Sequence, residues 1–258
     1  MIRIDSYLVN MGYARSRTVA QKLIEAGFVT VDGSLMRKPS ALIDEEAEHS
    51  VSVTEEFKYV SRGGYKLEGI IEAGCVDVTD KICIDIGAST GGFTDCLLQK
   101  GARHVYSVDS GTDQLAPSIS EDPRVTALEK TNARSLSEEQ IPEPADIIVM
   151  DVSFISQTLI HETVNRFLSK NGIFISLIKP QFELSRSEIG KGGIVKSKSD
   201  RHLAIKRVIA SCEKYDLHPQ LLTDSSITGG DGNREYTVIF SRRESKNFNL
   251  TNELKKLS

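Results

Sequence analysis

The 258-residue sequence lacks the features that would assign it to a membrane, secreted or zinc-binding class. No apolar run approaches the roughly 18 residues that a membrane-spanning helix needs. Asp5 interrupts the apolar stretch that a secretion signal would require, so we expect a cytoplasmic protein. The cysteines show no CxxC or CxH spacing, which disfavours a zinc site and predicts buried thiols instead; they are Cys75, Cys83, Cys96 and Cys212. We therefore expect no metal and no membrane association.

An excess of positive charge is also missing, since the formal net charge is −4. That average hides a local imbalance, because residues 1–43 carry more basic than acidic side chains while residues 44–56 carry six acids and no Lys or Arg. The basic side chains of the first part are Arg3, Arg15, Arg17, Lys22, Arg37 and Lys38. The abrupt change predicts a domain boundary. On charge alone, a solvated basic face and a nucleic-acid surface are equally good interpretations of the first part.

The first part of the chain has the pattern of two helices followed by a hairpin. Apolar residues at helical spacing are Ile4, Tyr7, Leu8 and Met11. Ser16 suits the N-cap of a second helix at residues 17–26, and Gly27 suits the position after it. The string FVTVDGSLM alternates and contains the Asp-Gly pair typical of a hairpin turn. The sequence predicts a small α+β domain over residues 1–58.

The rest of the chain alternates strand and helix after a predicted linker at residues 59–64 and a helix at residues 65–73. The strings ICIDIG, VYSVD, VTALE, DIIVMD and GIFISLI are short and uninterrupted, as parallel strands covered on both faces are. HPQLLTDSSI and EYTVIFSRR are separated by a loop too short for a crossover helix, so this pair should be antiparallel. Residues 65–243 thus resemble an α/β, Rossmann-like class I methyltransferase fold with a seven-stranded, mostly parallel sheet. Residues 244–258 read as a polar tail in which residues 253–257 form either a short helix or no regular structure.

A glycine-rich string, IDIGASTGGFTD, follows the first strand of the predicted sheet and opens a helix. Its candidate ligand contacts are Gly87, Ser89, Gly91 and Gly92, because glycines allow the backbone and the helix N-terminus to approach a ligand closely. Asp109 ends the second strand at a spacing typical of an acid that binds a ribose hydroxyl pair. A tight turn without a ligand, and a turn cap in the case of Asp109, are the alternatives.

The string does not match GxGxxG, which weakens a dinucleotide interpretation. A nucleoside cofactor without a pyrophosphate is favoured instead. S-adenosylmethionine fits this description, because Asp85 could hold its ammonium group.

Four ionisable residues lie at positions that converge in such a fold. Asp151 and Lys179 end the fourth and fifth strands, Glu235 opens the last strand, and Lys66 lies on the helix before the first strand. Methyl transfer to a ribose 2′-hydroxyl needs a base that accepts the hydroxyl proton, and burial beside a second ammonium favours the neutral form of a lysine. Lys179 is the predicted base and Lys66 is its orienting neighbour. Asp151 and Glu235 are expected to hold the two lysines in place, and Asp151 also to face the sulfonium of the cofactor. Ordinary salt bridges at a sheet edge are the alternative.

These four residues resemble the Lys-Asp-Lys-Glu tetrad of the FtsJ-type ribose methyltransferases. Over residues 2–242 the chain resembles the TlyA (hemolysin A) family of ribosomal RNA 2′-O-methyltransferases, through the strings RIDSYLV, SRTVAQKLIEAGFVTVDG, YVSRGGYKL, IDIGASTGGFTD, KTNAR, MDVSFIS, LIKPQFE, GKGGIVK and GNREY. The N-terminal part is similar to the alpha-L type RNA-binding module. SGTDQLAPSISEDP stands where the family pattern has VGYGQL after the second strand, so an aromatic is lost and Asp113 is introduced, and both changes affect the expected cofactor pocket.

The resemblance implies S-adenosylmethionine as cofactor and a cytidine ribose in assembled ribosomal subunits as substrate. It also implies that Asn132 lies near the adenine and that Arg62 joins the N-terminal basic residues in contacting RNA. A non-catalytic RNA-binding assembly factor and a membrane-active hemolysin are the alternatives, the latter disfavoured by the missing signal and spanning segment. Base methylation is disfavoured because no Cys nucleophile or Asn-Pro-Pro-Tyr-like string follows the fourth strand. A monomer is favoured, although the sequence does not determine the oligomeric state.

Overall fold

The structure is a computed structural model that describes residues 1–14, 16–25, 27–53, 58–189, 192–227 and 232–257. The chain divides into two compact units, Met1–Lys58 and Tyr59–Ser258. None of the helices in the described ranges combines the length and apolar character that crossing a membrane requires.

The first unit is built from short strands and helices around a small apolar core. Its elements are β1 (Ile2–Arg3), α1 (Ile4–Asn10), α2 (Arg17–Glu25), β2 (Val29–Val31), β3 (Ser34–Leu35), β4 (Leu42–Ile43) and β5 (Val51–Val53). Strand β1 pairs with β4, and β2 lies between β3 and β5, with all pairs antiparallel. Ile4, Leu8 and Ile24 are fully buried between these elements. The predicted small α+β domain is confirmed.

Local chemistry explains where the helices of this unit begin and end. Ser16 Oγ accepts a hydrogen bond from Val19 N at 3.3 Å, as an N-cap does. Gly27 follows the second helix and has a φ of +79°, a left-handed backbone conformation that glycine adopts more readily than other residues. Met11, which falls at helical spacing with the apolar residues of α1, is 57% exposed, because α1 ends at Asn10.

The second unit is an α/β domain around a sheet of seven strands. The strands are β6 (Ile82–Ile86), β7 (His104–Val108), β8 (Val125–Leu128), β9 (Ala145–Met150), β10 (Leu168–Ile178), β11 (His218–Asp224) and β12 (Tyr236–Ser241). The helices are α3 (Arg62–Ala73), α4 (Gly92–Gln99), α5 (Pro117–Ser120), α6 (His161–Phe167), α7 (Pro180–Glu183), α8 (Lys198–Glu213) and α9 (Leu250–Lys256), with 3₁₀ turns at Ala133–Ser135 and Gln157–Leu159.

The strand order is β8-β7-β6-β9-β10-β12-β11. All neighbours from β8 to β10 are parallel, while β12 runs antiparallel to both β10 and β11. Alternate residues of β6 enter opposite cores, since Ile84 packs in one apolar cluster and Cys83 in the other. The predicted Rossmann-like, mostly parallel sheet with an antiparallel last pair is confirmed.

The topology brings distant parts of the chain to one edge of the sheet. The loops that follow β6, β7, β9 and β10 leave the sheet at the carboxyl ends of the parallel strands. Because β12 is antiparallel, its first residue, Tyr236, pairs with Ile178 at the end of β10. Glu235 therefore lies at the same edge as Lys179.

Two segments differ from the sequence-based expectation. Helix α3 begins at Arg62, so part of the predicted linker at residues 59–64 is helical. Tyr59 is 1% exposed, and a Cβ on Gly64 would lie 2.2 Å from its ring, so the two residues are packed tightly together. The predicted polar tail at residues 244–258 contains α9, and Leu254 of this helix and Leu257 just after it are buried in the main apolar cluster.

Candidate active site

The loop between β6 and α4 provides a close approach to the backbone. Gly87 has a φ of +86°, and a Cβ at this position would lie 2.5 Å from the carbonyl oxygen of Asp151. Gly87 therefore permits the loops after β6 and β9 to lie against each other. Gly91, with a φ of +90°, is the N-cap of α4, and Gly92 is the first residue of that helix.

Asp109 follows β7 and is fixed by backbone donors on both carboxylate oxygens. Its Oδ2 accepts from Ser89 N at 2.8 Å, and its Oδ1 accepts from Gly111 N at 2.7 Å. Each oxygen keeps a further lone pair for another donor. The carboxylate is thus held in place while remaining able to accept hydrogen bonds from a hydroxyl pair.

A cavity of about 520 Å³ opens between the loops that follow β6 to β9. The predicted cofactor residues that line it are Gly87, Ser89, Asp109, Asn132 and Asp151. Val108, Ile155 and Ile160 contribute apolar wall. The volume lies within the range of small-molecule sites, and an acid beside apolar walls suits a nucleoside. S-adenosylmethionine therefore fits the residues present.

Asp85, the residue predicted to hold the ammonium group of the cofactor, lies at the end of β6. It is fully buried beneath the glycine loop. It lines neither this cavity nor a second, smaller cavity that lies beside Lys66 and Lys179. Its Oδ2 accepts from Thr94 N at 2.9 Å and from Thr94 Oγ1 at 2.7 Å. Burial raises the pKa of Asp85 to about 7, against the effect of the Thr94 hydrogen bonds. Through Thr94, Asp85 anchors the start of α4.

The predicted tetrad forms two ion pairs. Lys66 Nζ lies 2.5 Å from Glu235 Oε2, and Lys179 Nζ lies 2.5 Å from Asp151 Oδ1. Lys179 Nζ also donates to Ser153 Oγ at 2.8 Å. The side chains of Lys66 and Lys179 are 10% and 12% exposed, so each ammonium has lost most of its water and is compensated by its carboxylate.

A second cavity of about 350 Å³ lies next to these ion pairs. Its polar wall includes Arg62, Lys66, Asp151, Ser153 and Lys179. Gly87, Ser89, Asp151 and Ser153 also line the larger cavity, so the two compartments adjoin at these residues. The arrangement places an amine in a compartment next to one that suits a nucleoside.

Sequence reasoning did not single out Ser153, Phe154 or Glu183. Phe154 is 91% exposed with a φ of +63°, and its ring centroid lies 5.2 Å from that of Phe182. These residues belong to the strings MDVSFIS and LIKPQFE, which follow the strands that end at Asp151 and Lys179. The strings pointed to the region, but an exposed Phe cannot be told from a core Phe by its spacing.

Two of the basic residues predicted to bind RNA are tied to a buried acid. Arg3 NH2 and Arg17 Nε lie 2.8 Å and 3.2 Å from Asp5 Oδ2. Hydrogen bonds, those from Arg3 above all, hold the pKa of Asp5 well below its usual range. Their side chains are nevertheless 41% and 53% exposed, so both guanidinium groups remain accessible from solvent.

The other basic residues predicted to bind RNA are placed differently. Lys22, Arg37 and Lys38 are exposed on the first unit. Arg62 lies in the second unit on the wall of the smaller cavity. Arg15 lies outside the described residues.

The sheet order, the glycine loop and the adjoining cavities at the carboxyl edge together define a class I methyltransferase. Family models agree, since the FtsJ-like methyltransferase model matches residues 59–242 and the S4 domain model matches residues 2–49. The chain belongs to the FtsJ-like methyltransferase family, in the TlyA and hemolysin A group that also carries an S4 domain. The resemblance stated from the sequence is confirmed.

Similar proteins match this chain over nearly its full length. It is 40% identical over 234 residues to the 16S/23S rRNA (cytidine-2′-O)-methyltransferase TlyA of Mycobacterium tuberculosis, over 91% of this chain and 87% of the relative. It is 40% identical over 241 residues to Hemolysin A of Brachyspira hyodysenteriae, over 93% of this chain and 99% of the relative. The solved structure of a candidate hemolysin from Streptococcus thermophilus has a TM-score of 0.76 and 35% identity, over 99% of this chain and 94% of that chain.

Proposed function

We propose that this protein methylates the ribose 2′-hydroxyl of a cytidine in ribosomal RNA with S-adenosylmethionine as cofactor. The observation that carries this proposal is the pair of adjoining cavities, with the Lys179 amine 2.5 Å from Asp151 on the wall of the smaller one. The relative from Mycobacterium tuberculosis is named for this reaction on 16S and 23S rRNA. The substrate we expect is therefore RNA within assembled ribosomal subunits.

The larger cavity is the proposed cofactor site. Asp109 would accept hydrogen bonds from the ribose hydroxyls, and Asn132 would lie beside the adenine. Asp151 would face the sulfonium, whose positive charge a carboxylate stabilises. The bound cofactor supplies the methyl group that is transferred. Asp85 acts indirectly, by holding Thr94 at the start of α4.

Lys179 is the proposed base in the smaller cavity. As the ribose 2′-oxygen attacks the transferred methyl group, its proton would pass to Lys179 Nζ. The hydroxyl of Ser153 and the carboxylate of Asp151 fix that nitrogen from two sides. Lys66, held by Glu235, lines the same cavity and would orient the nucleotide.

The target nucleotide needs to leave its stack to reach this cavity. The exposed ring of Phe154 offers a face on which the unstacked base can lie, because aromatic side chains stack on single-stranded bases. The exposed basic residues of the S4 domain, Lys22, Arg37 and Lys38, would bind the RNA backbone. Arg62 would contact the RNA at the entrance of the cavity.

The test is tritium transfer from labelled S-adenosylmethionine to purified small and large ribosomal subunits from a strain lacking this protein. Digestion of the RNA to nucleosides identifies the product, and we expect label in 2′-O-methylcytidine. Label in the base of a nucleoside, or on neither subunit despite cofactor binding, would overturn the proposed reaction. Absent cofactor binding would favour the assembly-factor interpretation.

Lys179→Met tests the assignment of the base. We expect it to abolish transfer while the cofactor Kd, measured by calorimetry, stays within a few fold, because Lys179 does not line the larger cavity. Lys100→Met is the matched control, since Lys100 also pairs with carboxylates, Glu68 and Glu72, at 3.6 Å and 3.3 Å but lines neither cavity. An active Lys179→Met variant would rule out Lys179 as the base.

A further inference from the structure

A buried carboxylate outside the tetrad joins the two loops that carry Asp151 and Lys179. Glu183, the last residue of α7, is 8% exposed. Its Oε2 accepts from Ser156 Oγ at 2.6 Å, and its Oε1 accepts from Gln157 N at 3.0 Å. Burial raises the pKa of Glu183, while the hydrogen bonds from Ser156 and Gln157 oppose that effect. Both carboxylate oxygens of this buried acid are therefore hydrogen-bonded, as buried polar groups in native proteins are.

Gln157 extends this connection into the sheet. Its side chain is buried, with Nε2 donating to the carbonyl of Leu177 at 3.3 Å and Oε1 accepting from Ser176 Oγ. Both partners belong to β10, the strand that ends next to Lys179. The segment after β9 is therefore fastened to β10 and α7 through Gln157 and Glu183.

The fastened segment is short and carries the proposed reaction chemistry. Asp151 lies at its start and Ser156 at its end, with Ser153 and Phe154 between them. At the start, Asp151 contacts Lys179, and at the end, Ser156 contacts Glu183, four residues after Lys179 in the chain. The segment is thus attached to the loop after β10 at both ends.

We infer that Glu183 is a positioning residue for methyl transfer, whose carboxylate fixes the segment carrying Asp151, Ser153 and Phe154 relative to Lys179. This inference rests on the proposed function. Glu183 lines neither of the two cavities of the active site, so it acts through Ser156 and Gln157 and not on the substrate. Its removal should slow the chemical step without weakening cofactor binding.

Two substitutions of similar size separate the hydrogen bonds from the bulk of the side chain. Glu183→Met removes both acceptors and leaves the donors of Ser156 and Gln157 buried without partners. Glu183→Gln can keep both contacts, because its oxygen can accept from Gln157 N while its amide donates to the Ser156 hydroxyl. We expect kcat to fall about 100-fold in Glu183→Met, as for a displacement of about 1 Å in an active site, and no more than about 5-fold in Glu183→Gln.

The measurement is the kcat of methyl transfer at saturating cofactor and subunits, with the cofactor Kd and the thermal unfolding of each variant. Wild type is run alongside, so a failure of the proposed function appears as an inactive wild type and is distinct from a failure of this inference. Glu188→Gln is the matched control, because Glu188 pairs with Arg207 in the same region without touching Ser156 or Gln157. We expect its kcat to equal that of the wild type.

Ser156→Ala covers the case in which Glu183→Met does not fold. It removes one of the two contacts, and we expect a fall in kcat of about 10-fold, with a cofactor Kd unchanged within about 2-fold. In the double variant Ser156→Ala, Glu183→Met, the losses should not add, because both act on the same contact. Unchanged kcat in Glu183→Met or in Ser156→Ala would overturn the inference. So would equal losses in Glu183→Met and Glu183→Gln, because the charge and not the geometry would then be required.

Discussion

Replacing Gly87 by alanine is expected to damage catalysis far more than folding. Gly87 has a φ of +86°, a backbone conformation that costs an L-residue about 1–2 kcal/mol. The added Cβ would also lie 2.5 Å from the carbonyl oxygen of Asp151. Because both groups belong to the backbone or are attached directly to it, no side-chain rotation relieves this contact.

The magnitude follows from the distance. Ordinary carbon contacts lie near 3.5 Å, so the loop after β9 has to move by about 1 Å. That loop carries Asp151, whose carboxylate contacts Lys179. A misplacement of this size costs about 100-fold in rate, equivalent to about 2.7 kcal/mol in the activation free energy. We expect a fall in kcat of that order on top of the conformational strain.

Gly101→Ala separates strain from displacement. Gly101 has a φ of +90°, so alanine there meets the same conformational cost. Its Cβ would lie 3.6 Å from the nearest heavy atom, Thr79 Cα, which is an ordinary contact. Gly101 lines neither cavity. We expect Gly101→Ala to lose only the stability that the conformational strain costs and to keep its activity, and Gly87→Ala to lose activity as well.

The assay combines urea unfolding with methyl transfer at saturating cofactor and ribosomal subunits. Saturation removes any contribution from weaker cofactor binding, which is expected because Gly87 lines the larger cavity. A Gly87→Ala variant with wild-type kcat would refute the claim that the two loops are in tight contact. Equal losses of kcat in both variants would show that strain, and not the position of Asp151, controls the rate.

Three further outcomes are expected at other parts of the site. Phe154→Ala should raise the KM for ribosomal subunits about 5- to 150-fold in transfer assays, since stacking of a base on an aromatic ring contributes about 1–3 kcal/mol, and Phe154→Tyr should not. Asp109→Asn should raise the cofactor Kd at least about 10-fold by calorimetry, because an amide cannot accept from both Ser89 N and Gly111 N, and an unchanged Kd would exclude Asp109 from the cofactor site. Arg37→Ala with Lys38→Ala should lower the slope of log K against log salt by about 2 in subunit binding, and an unchanged slope would place the RNA elsewhere.

The sheet was predictable because the sequence pattern that specifies each strand is local. Parallel strands buried on both faces require uninterrupted apolar strings, and the turns between them need polar or flexible residues, so each element is visible in a few letters of sequence. Packing that depends on distant residues was not predictable. Tyr59 is buried against Gly64, and this contact makes the predicted linker part of the second unit. A contact between a side chain and the backbone leaves no periodic pattern in the sequence.

The candidate site was predictable to the level of which residues meet, but not how they pair. Strand ends at one edge indicated Lys66, Asp151, Lys179 and Glu235. The pairing of Lys66 with Glu235 depends on the register of β12 against β10, which the sequence does not specify. Side-chain direction was also hidden, since Asp85 precedes the glycine loop and yet turns into the core. The charge count in turn treated Arg3 and Arg17 as free cations, whereas both contact the buried carboxylate of Asp5.

Asp151 is the residue through which the parts of this site depend on one another. Its carbonyl oxygen lies 2.5 Å from the position that a Cβ on Gly87 would take, so the loop between β6 and α4 limits its position from one side. Its carboxylate contacts Lys179, so it limits the position of the proposed base from the other side. Glu183 holds the far end of the segment that Asp151 begins. The loop between β6 and α4 and the proposed base Lys179 therefore both contact the short segment that carries Phe154, and a displacement of this segment reaches all three.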